Sequence, residues 1–152
     1  YTDYAYFRGI GRRYSYKKLG MNKIEHIGIA VKDLKTSNSL FEKLLGVAHY
    51  KEEEVLSEGV KTSFFKTGPN KIELLEATNP DSPIAKFLEK KGEGVHHIAF
   101  AVDDIVAELA RLQQEGFTVL NETPKKGADN KLVAFLHPKT TNGVLIELCQ
   151  DI

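Results

Sequence analysis

Bulky apolar residues fall on alternate positions in two stretches of this chain that read almost alike. Residues 24–34 are IEHIGIAVKDL and residues 95–105 are VHHIAFAVDDI. Period-two alternation is the mark of a strand with one face buried. Ile27, Ile29 and Val31 share one face of the first stretch, and Ile98, Phe100 and Val102 share the matching face of the second. Opposite them lie His26, Gly28 and Ala30, and His97, Ala99 and Ala101. The period then changes to that of a helix. LKTSNSLFEKLLG carries Leu34, Phe41, Leu44 and Leu45, and IVAELARLQQEG carries Ile105, Leu109 and Leu112 on one side. Both helical patterns stop at a glycine, Gly46 and Gly116, as helix C-termini frequently do.

The likeness extends to the rest of each half. His26–Val31 overlays His97–Val102 at an offset of 71, and Ile72-Glu73-Leu74 overlays Ile146-Glu147-Leu148 at an offset of 74. Three strand-like runs follow each helix, at 47–57, 60–67 and 71–77 and again at 117–123, 131–137 and 143–149. The order β-α-β-β-β therefore occurs twice. An α+β fold of tandem βαβββ modules, about 21–77 and 95–150, is expected to form one domain over 21–150. Between the modules, Ser82 suits an N-cap, Pro83 a first helical turn and Gly92 or Gly94 a stop, so a helical linker is expected.

The strand faces locate the candidate chemistry. The bulky set should pack under the helices, leaving each histidine on a face otherwise occupied by small residues, which is how a cavity is built. On this reading His97 faces the cavity, while His96 points the other way and, like His49, sits at a surface or strand edge. Glu73 and Glu147 each stand mid-strand between Ile and Leu. A carboxylate in apolar surroundings is costly unless it is paired or bound to a metal. One such Glu can be an edge residue reaching solvent, and one such His a hydrogen-bonded core residue. Four of them at matched positions of a repeated unit point instead to a metal site of His26, Glu73, His97 and Glu147. Two imidazoles and two carboxylates suit a borderline divalent ion such as Zn, Co, Ni, Mn or Fe(II). Six-coordination would leave two positions for water or substrate oxygens, a Lewis-acid arrangement.

Composition narrows the class. The chain has 152 residues and a single cysteine, Cys149, so it cannot form an internal disulfide, and a cytoplasmic location is expected. No apolar run approaches the roughly 20 residues of a membrane span. The zero formal charge is uneven: residues 1–20 hold five Lys/Arg against one Asp, or +4, which leaves −4 on residues 21–152. Nucleic acid is a poor partner for such a body. Residues 1–20 also hold five of the six tyrosines and precede Met21, which directly introduces the first strand. They read as a leader or expression-derived segment, the rival being a basic arm for an anionic surface.

The doubled unit with these four residues resembles the vicinal-oxygen-chelate superfamily, which includes glyoxalase I, extradiol dioxygenases and bleomycin-resistance proteins. Within it the chain is most similar to the methylmalonyl-CoA epimerase family, through HIGIAVKDL, KIELL, DSPIAKFLEKKGEGVHHIAFAVDDI and KKGADNKLVAFLHPKTTNGVLIEL. The resemblance implies a cupped mixed sheet of glyoxalase-like fold around a divalent metal, Co or Zn first and Ni or Mn as alternatives. It implies an acyl-CoA substrate, a homodimer, and metal ligands at His26, Glu73, His97 and Glu147, with Glu147 also a catalytic base. The implied reaction is epimerisation at C2 of methylmalonyl-CoA, by removal and return of a proton through a stabilised enolate. Two acid/base groups must flank that carbon. Some family members carry a second Glu where this chain has Thr62; Glu58 is the nearest carboxylate, a solvated turn residue unless its loop folds inward.

Further residues are read against plainer roles. Lys125, Lys126 and Lys131 could meet CoA phosphates or a substrate carboxylate, against a solvated hairpin loop. Cys149 alternates onto the face of Glu147 and reads as inert packing. His137 lies in a family-like stretch with no chemical role assigned. The alternative functions are a glyoxalase I-type lyase acting on hemithioacetals and a metal-free small-molecule-binding resistance protein. The sequence HPKTTNGVLIEL lacks the DPDG-type turn usual in the lyases. A dioxygenase needs two His and one carboxylate only, so the fourth aligned residue argues against it.

Overall fold

A computed structural model describes residues 19–152. The expected segment 1–20, and with it the basic-arm reading, lies almost wholly outside the described residues.

Strand β1 (Lys23–Ala30) leads through the N-cap Asp33, whose carboxylate accepts the Thr36 N–H, into helix α1 (Leu34–Leu45). Gly46 closes that helix with φ of +73°, a left-handed conformation that costs glycine nothing. A meander follows: β2 (Lys51–Val55), β3 (Val60–Thr67) and β4 (Asn70–Ala77). Helix α2 (Pro83–Lys91) starts at Ser82, whose hydroxyl accepts the Ile84 N–H, and ends at Gly92. The second half runs β5 (Gly94–Ala101), α3 (Ile105–Gln114) capped by Asp104, β6 (Lys125–Lys126), β7 (Lys131–Leu136) and β8 (Ile146–Asp151).

All eight strands form one mixed sheet in the order β2-β3-β4-β1-β5-β8-β7-β6. The order mirrors itself about the antiparallel β1–β5 border, with β4 parallel to β1 and β8 parallel to β5. One face carries α1 and α3. Val31, Leu34, Phe65 and Leu74 pack with Ile29, Phe41 and Leu45 of the first half. Val102, Ile105, Leu109, Leu112, Ala134, Leu136 and Leu148 do the same under α3. The small residues lie on the other face, where Ala30 meets Val60, Leu75 and Ile84 of α2, and Ala99 meets Val133 and Cys149.

One expected strand is broken. Residues 117–123 run alongside β7 only through a bridge between Val119 and Leu136 and two bonds nearby, His137 N–H to Thr118 O and Leu120 N–H to Phe135 O. The Asn121 side chain then accepts the Phe135 N–H at 3.1 Å in place of a backbone carbonyl. Past Pro124 the chain regains β7 for two residues only, as β6. A side chain that competes with the ladder, followed by a proline, accounts for the interruption.

Candidate metal centre and its cavity

The four central strands bring together the residues expected as ligands. Across β4, β1 and β5, Glu73 is in register with Gly28 and Gly28 with His97. One step along, His26 is in register with Ala99 and Ala99 with Glu147 of β8. Each imidazole is thus placed opposite a small residue on the neighbouring central strand. At Gly28 the clearance is absolute: a Cβ there would stand 2.1 Å from His97 Cε1.

All four side chains are buried, His26 at 5%, Glu73 at 5%, His97 at 3% and Glu147 at 6% exposure. The Nε2 atoms of His26 and His97 lie 3.0 Å apart. Glu147 Oε2 is 2.9 Å from His97 Nε2 and 3.5 Å from His26 Nε2. Glu73 Oε2 is 3.1 Å from His26 Nε2 and 3.5 Å from His97 Nε2. Around an ion with bonds of roughly 2.0–2.2 Å, adjacent ligand atoms stand about 3.0–3.5 Å apart, so the spacings among His26, His97 and Glu147 suit one shared cation. His26, His97 and Glu147 each offer a ligand atom within 4.8 Å of the others; Glu73 touches both rings but lies outside that tighter trio.

Burial alone would push the His97 pKa down, but Glu147 and Glu73 override it and raise it to about 9. His26 follows the same balance and is also raised, with Glu73 the strongest upward influence. Burial would raise the two carboxyls; the imidazoles instead hold Glu73 and Glu147 below the usual carboxylate range. Ionised carboxylates facing imidazoles, which would release a proton on meeting a cation, are a donor set whose chemistry suits a divalent ion.

The centre opens into a cavity of about 310 Å³. Val60, Phe64, Leu75, Ile84, Leu120 and Phe135 supply much of its apolar wall. Thr62 lies in it, its hydroxyl 3.4 Å from the Glu53 carbonyl. The Glu58 loop does fold inward: Glu58 lines the cavity and ion-pairs with Lys125 from the other half. Lys126 and Lys131 line it as well, Lys131 being paired with Asp151. Cys149 donates its thiol to Glu147 Oε1 at 3.3 Å, and burial together with that carboxylate pushes the thiol pKa far up, so it is a packing group. His49 is half-buried beside Glu42 at 2.7 Å, and the His137 ring accepts the Lys139 N–H as a turn cap.

His96 is a correction. It does not point away; it lines the cavity, with Nδ1 2.9 Å from His97 Nδ1 and its ring edge-on to Phe87. The cause is a β-bulge: Gly28 pairs with His97 but Ile29 with Val95, so two residues of β5 span one of β1 and strict alternation fails. A second bulge, between Ile24 and His26 in β1, turns Glu25 inward too. Glu25 is a residue that the alternation pattern missed. It is 4% exposed, bonded to Lys71 Nζ at 2.9 Å, and 3.7 Å from His26 Nδ1. His26, against the opposing effect of burial and with help from Lys71, holds its carboxyl at about 2.

Comparison with known proteins agrees with this architecture. Residues 25–135 match the model of the Glyoxalase/Bleomycin resistance protein/Dioxygenase superfamily. An uncharacterised protein of Bacillus subtilis is 43% identical over 86% of this chain and 93% of its own length. An ethylmalonyl-CoA/methylmalonyl-CoA epimerase of Cereibacter sphaeroides is 41% identical over 86% of this chain and 98% of its own length. The solved structure of a Streptomyces coelicolor methylmalonyl-CoA epimerase variant, in complex with 2-nitronate-propionyl-CoA, superposes with a TM-score of 0.84 at 36% identity, covering 87% of this chain and 96% of that one. With half the sheet mirroring the other around a buried His/Glu cluster, and with these relatives, the chain belongs to the Glyoxalase/Bleomycin resistance protein/Dioxygenase superfamily and, within it, to the methylmalonyl-CoA epimerase family of isomerases.

Proposed function

We propose that this protein epimerises methylmalonyl-CoA at C2 in a metal-dependent reaction, with His26, Glu73, His97 and Glu147 as ligands and Glu147 as an acid/base group. The carrying observation is that two imidazoles and two carboxylates, on four adjacent strands, face one another at the floor of one largely apolar cavity. A divalent cation there, Co or Zn foremost, would supply Lewis acidity toward the thioester and carboxylate oxygens of the substrate. The chain's own contribution is orientation and proton handling. Apolar walls exclude water from C2, and Glu147, held ionised and steadied by the Cys149 thiol, is the base for the C2 proton. Return from the opposite face needs a second donor; Thr62 and Glu58 are the candidates the cavity presents. The reading includes one domain over 21–150, a homodimer and a cytoplasmic setting. Among the described residues no helix is long and apolar enough to cross a membrane.

The test is deuterium exchange at C2 of methylmalonyl-CoA by metal-stripped protein, with and without added Co or Zn. Metal-dependent exchange is expected, and Glu147→Ala should abolish it and weaken metal retention. No exchange by a fully metallated sample would overturn the reading. The His-Glu-His-Glu set also supports a glyoxalase I-type lyase, and turnover of a hemithioacetal by the same sample would favour that reaction instead.

A further inference from the structure

The two bulges stand at equivalent places. Each falls on the residue directly before a ligand histidine, Glu25 before His26 and His96 before His97. A bulge interrupts the ladder and re-aims one side chain, and here both re-aimed side chains end beside the ring that follows them. An imidazole that binds a cation through Nε2 keeps its proton on Nδ1, and that N–H needs an acceptor. Both rings turn Nε2 toward the carboxylates. His97 Nδ1 then has His96 Nδ1 at 2.9 Å. His26 Nδ1 is the one buried side-chain nitrogen or oxygen among the described residues without a hydrogen-bond partner, and Glu25 Oε1 stands 3.7 Å from it. A displacement of well under an ångström converts that spacing into a hydrogen bond.

Glu25 is itself braced. Lys71 Nζ holds Glu25 Oε1 at 2.9 Å and Asp129 Oδ2 at 2.8 Å. Asp129 lies in the loop between β6 and β7, accepts from the Tyr50 hydroxyl at 3.1 Å, and donates its N–H to Glu53 at 2.8 Å. Asp129, Lys71 and Glu25 are thus hydrogen-bonded in series from a loop that walls the cavity, and the series ends 3.7 Å from the His26 ring.

We infer that Glu25 and His96 are positioning residues for the two ligand imidazoles, and that Lys71 and Asp129 couple the grip on the metal to the loop over the cavity. This rests on the metal-centre reading above. Glu25 holds His26 from behind by accepting its Nδ1 proton, and His96 does the same for His97.

The test measures affinity rather than turnover. The full chain is stripped of metal, and Co²⁺ and Zn²⁺ are titrated against a competing chelator. Loss of an outer partner of a ligand histidine typically lowers affinity about 10- to 100-fold, and Glu25→Ala and His96→Leu should each do so. Glu25→Gln, which keeps an acceptor but no charge, should lose less. Lys71→Met and Asp129→Asn should weaken binding by smaller, graded amounts, whereas Lys61→Met, on an exposed pair with Glu52, should leave it unchanged. The visible absorption of the Co²⁺ form should shift in Glu25→Ala, which a role in packing alone would not produce. If Glu25→Ala fails to fold, Glu25→Gln and Lys71→Met decide the matter. Folded variants that bind within twofold of the parent chain overturn the inference while leaving the metal centre standing. A parent chain that binds neither ion removes the metal centre and the inference together.

Discussion

Gly28 shows how tightly single residues are constrained at this site. The His97 ring fills the space that a Cβ at Gly28 would need, with Cε1, Nδ1 and Nε2 at 2.1, 2.5 and 2.7 Å. Gly28→Ala must therefore swing that ring away from Glu147. Metal affinity should fall at least tenfold, and overpacking should cost about 1–3 kcal/mol of stability, read by chelator competition and by a denaturant melt. His97 also makes the metal-free protein sensitive to pH. Its folded-state pKa of about 9 stands above the ordinary 6.5, so its contribution to stability is complete below pH 6.5 and is lost as pH rises through 9. Metal must displace that proton, so metal affinity should rise across the same interval. Melting temperatures of the stripped protein and metal titrations between pH 6 and 10 check both trends. At this scale the convergence of His26, Glu73, His97 and Glu147 was legible in the sequence because apolar neighbours advertise a misplaced polar residue. Glu25 and His96 were not legible, since nothing local marks either as inward-facing.

Among the elements, helix starts were the most readable. Asp33, Ser82 and Asp104 each accept an N–H of the helix they open, and capping is a local interaction. Asp104→Ala, by removing the 3.1 Å acceptor for Ala107 N–H, should cost about 1 kcal/mol, measurable as a shift in the denaturant midpoint with an unchanged slope. Strands were less readable, for two separate reasons. Alternation predicts faces only while pairing advances one residue for one, and the β1–β5 border breaks that rule twice. The run at 117–123 has strand-like composition, yet Asn121 captures a ladder N–H and ends the pairing. The first departure arises in the pairing with a partner strand, which a single segment does not reveal; the second arises from Asn121 and Pro124 in the segment itself, whose effect shows only once β7 lies alongside.

In the whole molecule the four proposed ligands come from both halves of the sheet, His26 and Glu73 from one and His97 and Glu147 from the other, within a single chain. A cation they share would bind the folded state and not the unfolded one, so it should act as a fastener between halves. At free metal 100 times the dissociation constant the gain is about 2.7 kcal/mol. Adding Zn²⁺ or Co²⁺ should raise the melting temperature, chelator should reverse the rise, and a Glu73→Ala, Glu147→Ala double variant should show neither. The loop bearing Lys125 and Asp129 completes the enclosure by pairing with Glu58 and Lys71 of the first half. By itself the sequence determined the repeated βαβββ pattern, the buried helix-facing set and the four residues suited to a metal, because periodicity and polarity are properties of neighbours along the chain. Only the tertiary structure decided which side chains stand behind those four, how the cavity is closed, and that Glu58 turns inward. Those outcomes depend on bulges and on ion pairs such as Glu58–Lys125, whose partners are 67 positions apart, and such long-range pairings exist only once the two halves of the sheet are joined.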